Sequence, residues 1–110
     1  MNQYLLELDE NTRSIRSIIS SANEAFQNFL KLSEDKCKSR SGLERVICRK
    51  ELMVRAYKIK SDRLRYSIGK CRYTYKQKLC EKKINSMVDQ LQAKIKKLDK
   101  TIRLKKQKIK

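Results

Sequence analysis

Residues 84–102 read INSMVDQLQAKIKKLDKTI, and in them Ile84, Val88, Leu91, Ile95, Leu98 and Ile102 recur at alternating steps of four and three. Side chains so spaced share one face of a helix, and a stripe of this period is the seam of a coiled coil. The same alternation runs through Leu5, Leu8, Thr12, Ile15, Ile19, Ala22, Phe26 and Phe29. With Lys50 and Ser61 interrupting it, it also runs through Leu43, Ile47, Val54, Tyr57, Leu64, Ile68, Cys71 and Tyr75. Between Tyr75 and Ile84 the phase slips by about half a turn, a discontinuity that locally changes supercoiling.

The chain has 110 residues, no proline and two glycines, with 39% hydrophobic and 37% charged residues. That is the composition of long helices, and a stripe of apolar side chains has little means of enclosing a pocket. The polar stretch Lys38-Ser39-Arg40-Ser41-Gly42 reads as a turn, and Ser41 followed by Glu44 reads as a capping box opening the next helix. These features predict an all-α protein, an antiparallel two-helix coiled-coil hairpin with a longer second helix, forming a single domain over 1–110. Helix 3–37 leads through turn 38–42 into helix 42–108, with Gly69 tolerated inside it. A second turn near Ser61 and Asp62 is the alternative. Because the first helix is the shorter, the second overhangs from about residue 76 and carries its apolar seam without a partner in the chain, which calls for an intermolecular one.

The net charge of +17 is unevenly placed. Residues 1–35 carry Arg13, Arg16 and Lys31 against Glu7, Asp9, Glu10, Glu24, Glu34 and Asp35, a net of −3, whereas 36–110 carry 26 basic residues against six acidic ones, a net of +20. Such a stripe attracts a polyanion or an acidic protein surface. Nucleic acid is one candidate, since Tyr57, Tyr66, Tyr73 and Tyr75 interleave with Lys and Arg and offer stacking faces. None of the familiar DNA-reading modules is present.

Catalytic chemistry has little support: there is no histidine, the carboxylates are scattered and no glycine-rich phosphate loop occurs. No catalytic residue, cofactor or metal site is expected. Cys37, Cys48, Cys71 and Cys80 are separated by 10, 22 and 8 residues and form no CxxC pattern. The reading favoured by a cytosolic setting is free thiols packed as small apolar groups. The alternative is a helical hairpin stapled by nested disulfides, Cys37 to Cys80 and Cys48 to Cys71, as in small oxidised intermembrane-space proteins; it needs the turn near Ser61. No run of about 18 apolar residues is available to cross a bilayer, and the opening Met1-Asn2-Gln3-Tyr4 lacks a basic region leading into an apolar one. A cytoplasmic location without membrane insertion is therefore expected.

The pattern as a whole resembles the central stalk proteins of type III secretion systems, the YscO/SpaM family, with flagellar FliJ as a relative. The likeness rests on a small basic pair of unequal helices joined by a serine-bearing turn. Ser39-Arg40-Ser41 leading into Arg49-Lys50 and Val54-Arg55 looks like the start of the second helix in that family, and 94–110 looks like its basic end. The resemblance implies a non-enzymatic stalk seated in a hexameric secretion ATPase, stimulating it and linking it to an export-gate protein and to secretion chaperones, peripheral to a membrane-embedded complex. Under that reading Ile95, Lys97, Leu98, Lys100, Ile102, Arg103 and Lys106, with Leu5 and Leu8, face the ATPase ring. Lys38, Arg40, Ser41, Gly42 and Arg45 then form the hairpin turn pointing away toward the gate.

Overall fold

The computed structural model describes the backbone of residues 3–73 and 77–108, and the side chains of 15–71 and 77–108. The protein is all-α, and no strand occurs among the described residues. Helix α1 is Gln3–Leu32, α2 is Gly42–Ser67, a 3-10 helix spans Ile68–Tyr73, and α3 is Gln77–Gln107.

The chain thus reverses twice where the periodicity predicts one reversal. Helix α2 lies between α1 and α3 in contact with both, and α1 and α3 run parallel to each other. The helix expected over 42–108 is divided: α2 ends at Ser67 and α3 begins at Gln77, ahead of most of the interval where the apolar phase slips. Segment 77–107, expected to overhang without a partner, folds back along α2 instead. A long helix would leave its seam in water, whereas a second reversal sets Ile84, Val88, Leu91, Ile95 and Ile102 against α2.

Each reversal is closed by a disulfide between near neighbours, Cys37 to Cys48 and Cys71 to Cys80, with Cα separations of 5.7 and 5.6 Å. Both expectations for the cysteines are overturned: none is a free thiol, and the pairs are sequential instead of nested. Nesting needs a turn halfway between Cys48 and Cys71, but Ser61 there is fully buried inside α2, where its Oγ accepts a hydrogen bond from Gln92 Nε2 of α3 at 3.1 Å.

The first reversal also differs in detail. After Leu32 the helix gives way to consecutive turns, with bonds from Lys36 N to Ser33 O, Lys38 N to Asp35 O and Arg40 N to Cys37 O. The α-helix therefore ends five residues before the expected 37, in a tightened segment that delivers Cys37 to Cys48. Ser41 occupies the N-cap in an extended conformation (φ −136°, ψ 161°) but makes no side-chain cap bond, so the capping box does not form. Gly42 has φ +59°, a region where a β-carbon is strained, and this gives the chain its sharp entry into α2.

Two apolar clusters make the core. One gathers Ile18 and Ala22 of α1, Leu64 of α2, Cys71, and Cys80, Ile84, Val88 and Leu91 of α3; the other gathers Ile47 and Val54 of α2 with Ile95 and Ile102 of α3. Tyr57 packs against both and joins them. The result is a rod of 65 × 24 × 17 Å with a radius of gyration of 18.1 Å, against about 13 Å for a compact domain of this length.

Two outcomes follow for stability. Each disulfide closes a loop of about ten residues, so replacing either pair with serine should cost roughly 2–3 kcal/mol, read as a lower urea midpoint by circular dichroism. Leu64→Ala, which empties a fully buried position between all three helices, should cost about 3 kcal/mol in the same measurement.

Candidate binding surface

The double reversal changes which predicted residues meet. Ile102 shares a cluster with Ile47, and Lys106 Nζ lies 3.1 Å from Glu51 Oε1, so the end of α3 sits beside the start of α2. The turn 38–45 and the basic end of α3, expected at opposite ends of a stalk, are at the same end of the rod. Segments 36–58 and 94–108, which pair there, hold sixteen basic residues against Glu44, Glu51 and Asp99.

Within the predicted partner face the structure separates apolar from charged positions. Ile95 and Ile102 are core residues, 5% and 7% exposed, and Leu98 packs against their cluster. These three are covered by α2 and present no free seam. Lys97, Lys100 and Arg103 are exposed on the outer face of α3 beside exposed Lys96, and none of the four is in an ion pair among the described residues. Lys106 is tied to α2 through Glu51. The side chains of Leu5 and Leu8 lie outside the described residues.

At the turn, Arg40, Ser41 and Gly42 are exposed, and Lys38 pairs with Asp35. Arg45 is half-buried; its Nη2 donates to Lys38 O at 3.4 Å, while its Nε is buried without a partner. Among the tyrosines proposed for stacking, Tyr66 is 85% exposed beside Arg63, whereas Tyr57 is half-buried in the core. Tyr73 and Tyr75 have side chains outside the described residues. No helix is long and apolar enough to cross a membrane, and no group of three side chains suited to a metal occurs among the described residues.

The structure adds a constellation that the sequence does not announce. Phe26 of α1 stacks on Tyr57 of α2, with ring centroids 5.4 Å apart and planes at 22°. Lys60 Nζ lies 5.6 Å from the Phe26 centroid, and Lys94 Nζ of α3 lies 5.6 Å from the Tyr57 centroid. Phe26 and Tyr57 both fall on inferred seams, but their meeting depends on a helix register that one chain's periodicity does not encode. Burial first, and the Lys94 charge second, hold the Lys60 ammonium below the 10.5 of an ordinary lysine. Comparison with protein-family models, with curated protein sequences and with solved structures returns no match.

Because the folded chain holds the Lys60 proton less firmly than the unfolded chain, the folded state is penalised while both carry it. The penalty is lifted as pH rises through the folded value of Lys60 toward 10.5. Lys60→Gln should therefore melt higher than the parent at pH 7, since it removes a charge that burial and then the Lys94 ammonium disfavour. Its advantage should shrink at alkaline pH, as followed by thermal melts across a pH series.

Proposed function

We propose that this chain is a non-enzymatic binding protein that holds an anionic polymer against the basic end of its rod. One observation carries the reading: the two reversals bring sixteen basic residues to one end, and Lys96, Lys97, Lys100 and Arg103 stand there exposed and without an ion pair among the described residues. Cations on a rigid frame bind a polyanion by displacing its condensed counterions, with no apolar pocket required. The two disulfides favour an oxidising compartment over the cytoplasm expected from the sequence, since such bonds persist where thiols are not kept reduced.

The secretion-stalk reading keeps one supporting observation, the 65 Å rod, long enough to connect separated objects. It requires α3 to come away from α2 so that Ile95, Leu98 and Ile102 reach an ATPase ring. A covalent staple between α2 and α3 would then abolish ATPase stimulation, whereas polymer binding would survive it.

The test is a salt series with fluorescent sulfated oligosaccharide and with oligonucleotide, read by anisotropy. The logarithm of affinity should fall linearly with the logarithm of salt concentration. The triple substitution Lys97→Glu, Lys100→Glu, Arg103→Glu should flatten that slope by about 3 and weaken binding at least a hundredfold at low salt. Lys82→Glu with Lys83→Glu, toward the other end, should have a far smaller effect. A slope near zero for the parent chain would overturn the reading.

A further inference from the structure

On α2 the residues Arg55, Ile59, Asp62 and Tyr66 follow one another at steps of four, three and four, so they share one side of the helix. That side is turned away from the packed neighbours: Ala56, Ser61 and Leu64 are buried, whereas Arg55, Asp62 and Tyr66 are exposed and Ile59 is half-buried. Ile59, Asp62, Arg63 and Tyr66 line one open recess. Tyr66 is 85% exposed, so the fold buries almost none of its ring. Exposed Lys58 and Arg65 flank the stripe on one side and exposed Arg63 on the other, and neither they nor Asp62 belong to an ion pair among the described residues. Residues 55–66 hold five basic side chains against Asp62 alone. Arg55 and Lys58 belong to the basic end of the rod, so the stripe leads from that end along α2 to the tyrosine, about 16 Å beyond Arg55.

We propose that Tyr66, with the cations around it, is a stacking platform for an unpaired base, and that the anionic polymer is a single-stranded nucleic acid. The inference deepens the polymer-binding reading, on which it rests. A positively charged track that carries an exposed aromatic ring is what a single strand requires, because its backbone follows the charge while a base lies flat on the ring. In a duplex each base is covered above and below by its neighbours, so only an unpaired base can use the platform. A sulfated polysaccharide satisfies the cations but brings no planar aromatic face to Tyr66. The charges also sort the parts of the strand. Lys58, Arg65 and Arg63 on the flanks attract phosphates, whereas the Asp62 carboxylate inside the recess repels them and accepts hydrogen bonds from the N–H groups of a base. Ile59 gives the base edge an apolar neighbour beside the ring. Every base has a π-face, so the platform tolerates any sequence. The track is part of one continuous helix, packed before any ligand arrives, so little ordering accompanies binding.

The experiment measures the affinity of the full, oxidised chain for four fluorescent probes by anisotropy at fixed low salt: a single-stranded oligonucleotide, the same sugar-phosphate backbone without bases, a duplex and a sulfated oligosaccharide. Tyr66→Ala should weaken binding of the single strand about tenfold, the loss of one stacked base, and leave the baseless backbone and the sulfated oligosaccharide within twofold. Tyr66→Phe, which keeps the ring, should stay within twofold of the parent on every probe. Lys97→Gln should instead weaken all four alike. Tyr66 is exposed, so neither change at this position opens the core, and circular dichroism of each variant checks that it is folded. In a parallel NMR titration of the parent, the Tyr66 ring resonances should move upfield with the single strand and not with the baseless backbone. No loss on the single strand in Tyr66→Ala, or an equal loss on the sulfated oligosaccharide, would overturn the platform, while the salt dependence of the parent leaves polymer binding intact. A parent without salt-dependent affinity for any probe would overturn the polymer reading. In that case a saturable upfield shift of the Tyr66 ring with adenosine monophosphate would keep the platform, and the absence of that shift would remove it too.

Discussion

Everything in this fold depends on the return of α3 along α2, and that return is fixed by the bond between Cys71 and Cys80. The apolar seam of α3 is the most regular in the chain, and a helix carrying it needs a covering surface. With Cys71 at the end of one element and Cys80 in the first turn of the next, the covering surface is α2. Burial of Ile84, Val88 and Leu91 then completes the core that Ile18, Ala22 and Leu64 begin. The second bond, Cys37 to Cys48, does the same for α1 at the other end. Together they reduce the freedom of the unfolded chain at the two places where an elongated three-helix rod must turn. A slender rod buries less surface than a compact domain of equal length, so such constraints matter more here.

The two clusters differ in construction, and the difference positions the charged groups. Near the Cys71–Cys80 end all three helices contribute, and the interior is closed. Toward the other end the second cluster is made by α2 and α3. Tyr57 stands at the junction, and the basic residues gather where the core is thinnest. Lysines and arginines tolerate such a site because their stems cover apolar surface while their charges remain in water.

Much of this was legible in the sequence, element by element. The seam from Ile84 to Ile102 emerges as the buried stripe of α3, and Ile47, Val54, Ser61 and Leu64 line α2 in the expected phase. In α1 the three-four alternation puts Ile15 and Ile19 on the seam and skips Ile18, which is 1% exposed and lies next to Ile19 on the helix, about 100° around. The broken phase between Tyr75 and Ile84 reads as a local change of supercoiling within one helix, whereas the chain reverses just ahead of it, between Ser67 and Gln77. Helical periodicity describes a stripe, however, and not which surface covers it, so an overhanging helix and a folded-back one read alike. Ser61 looked like a turn residue because it is polar; its hydroxyl instead meets Gln92, a partner 31 positions away. The site suffered the same blindness. Charges could be counted along the chain, but their concentration at one end, and the placing of Lys60 over Phe26 and of Lys94 over Tyr57, exist only once the helices are in register.

The uneven charge of the rod has a consequence for how it would approach a strongly negative surface. A body with its positive charge concentrated at one end feels a torque in an external field as well as an attraction, and turns that end forward before contact. It would therefore stand on such a surface and not lie along it, covering a patch set by its 24 × 17 Å cross-section instead of its 65 Å length. Molecules standing in this way pack more densely than molecules lying down, each taking a patch the size of its cross-section.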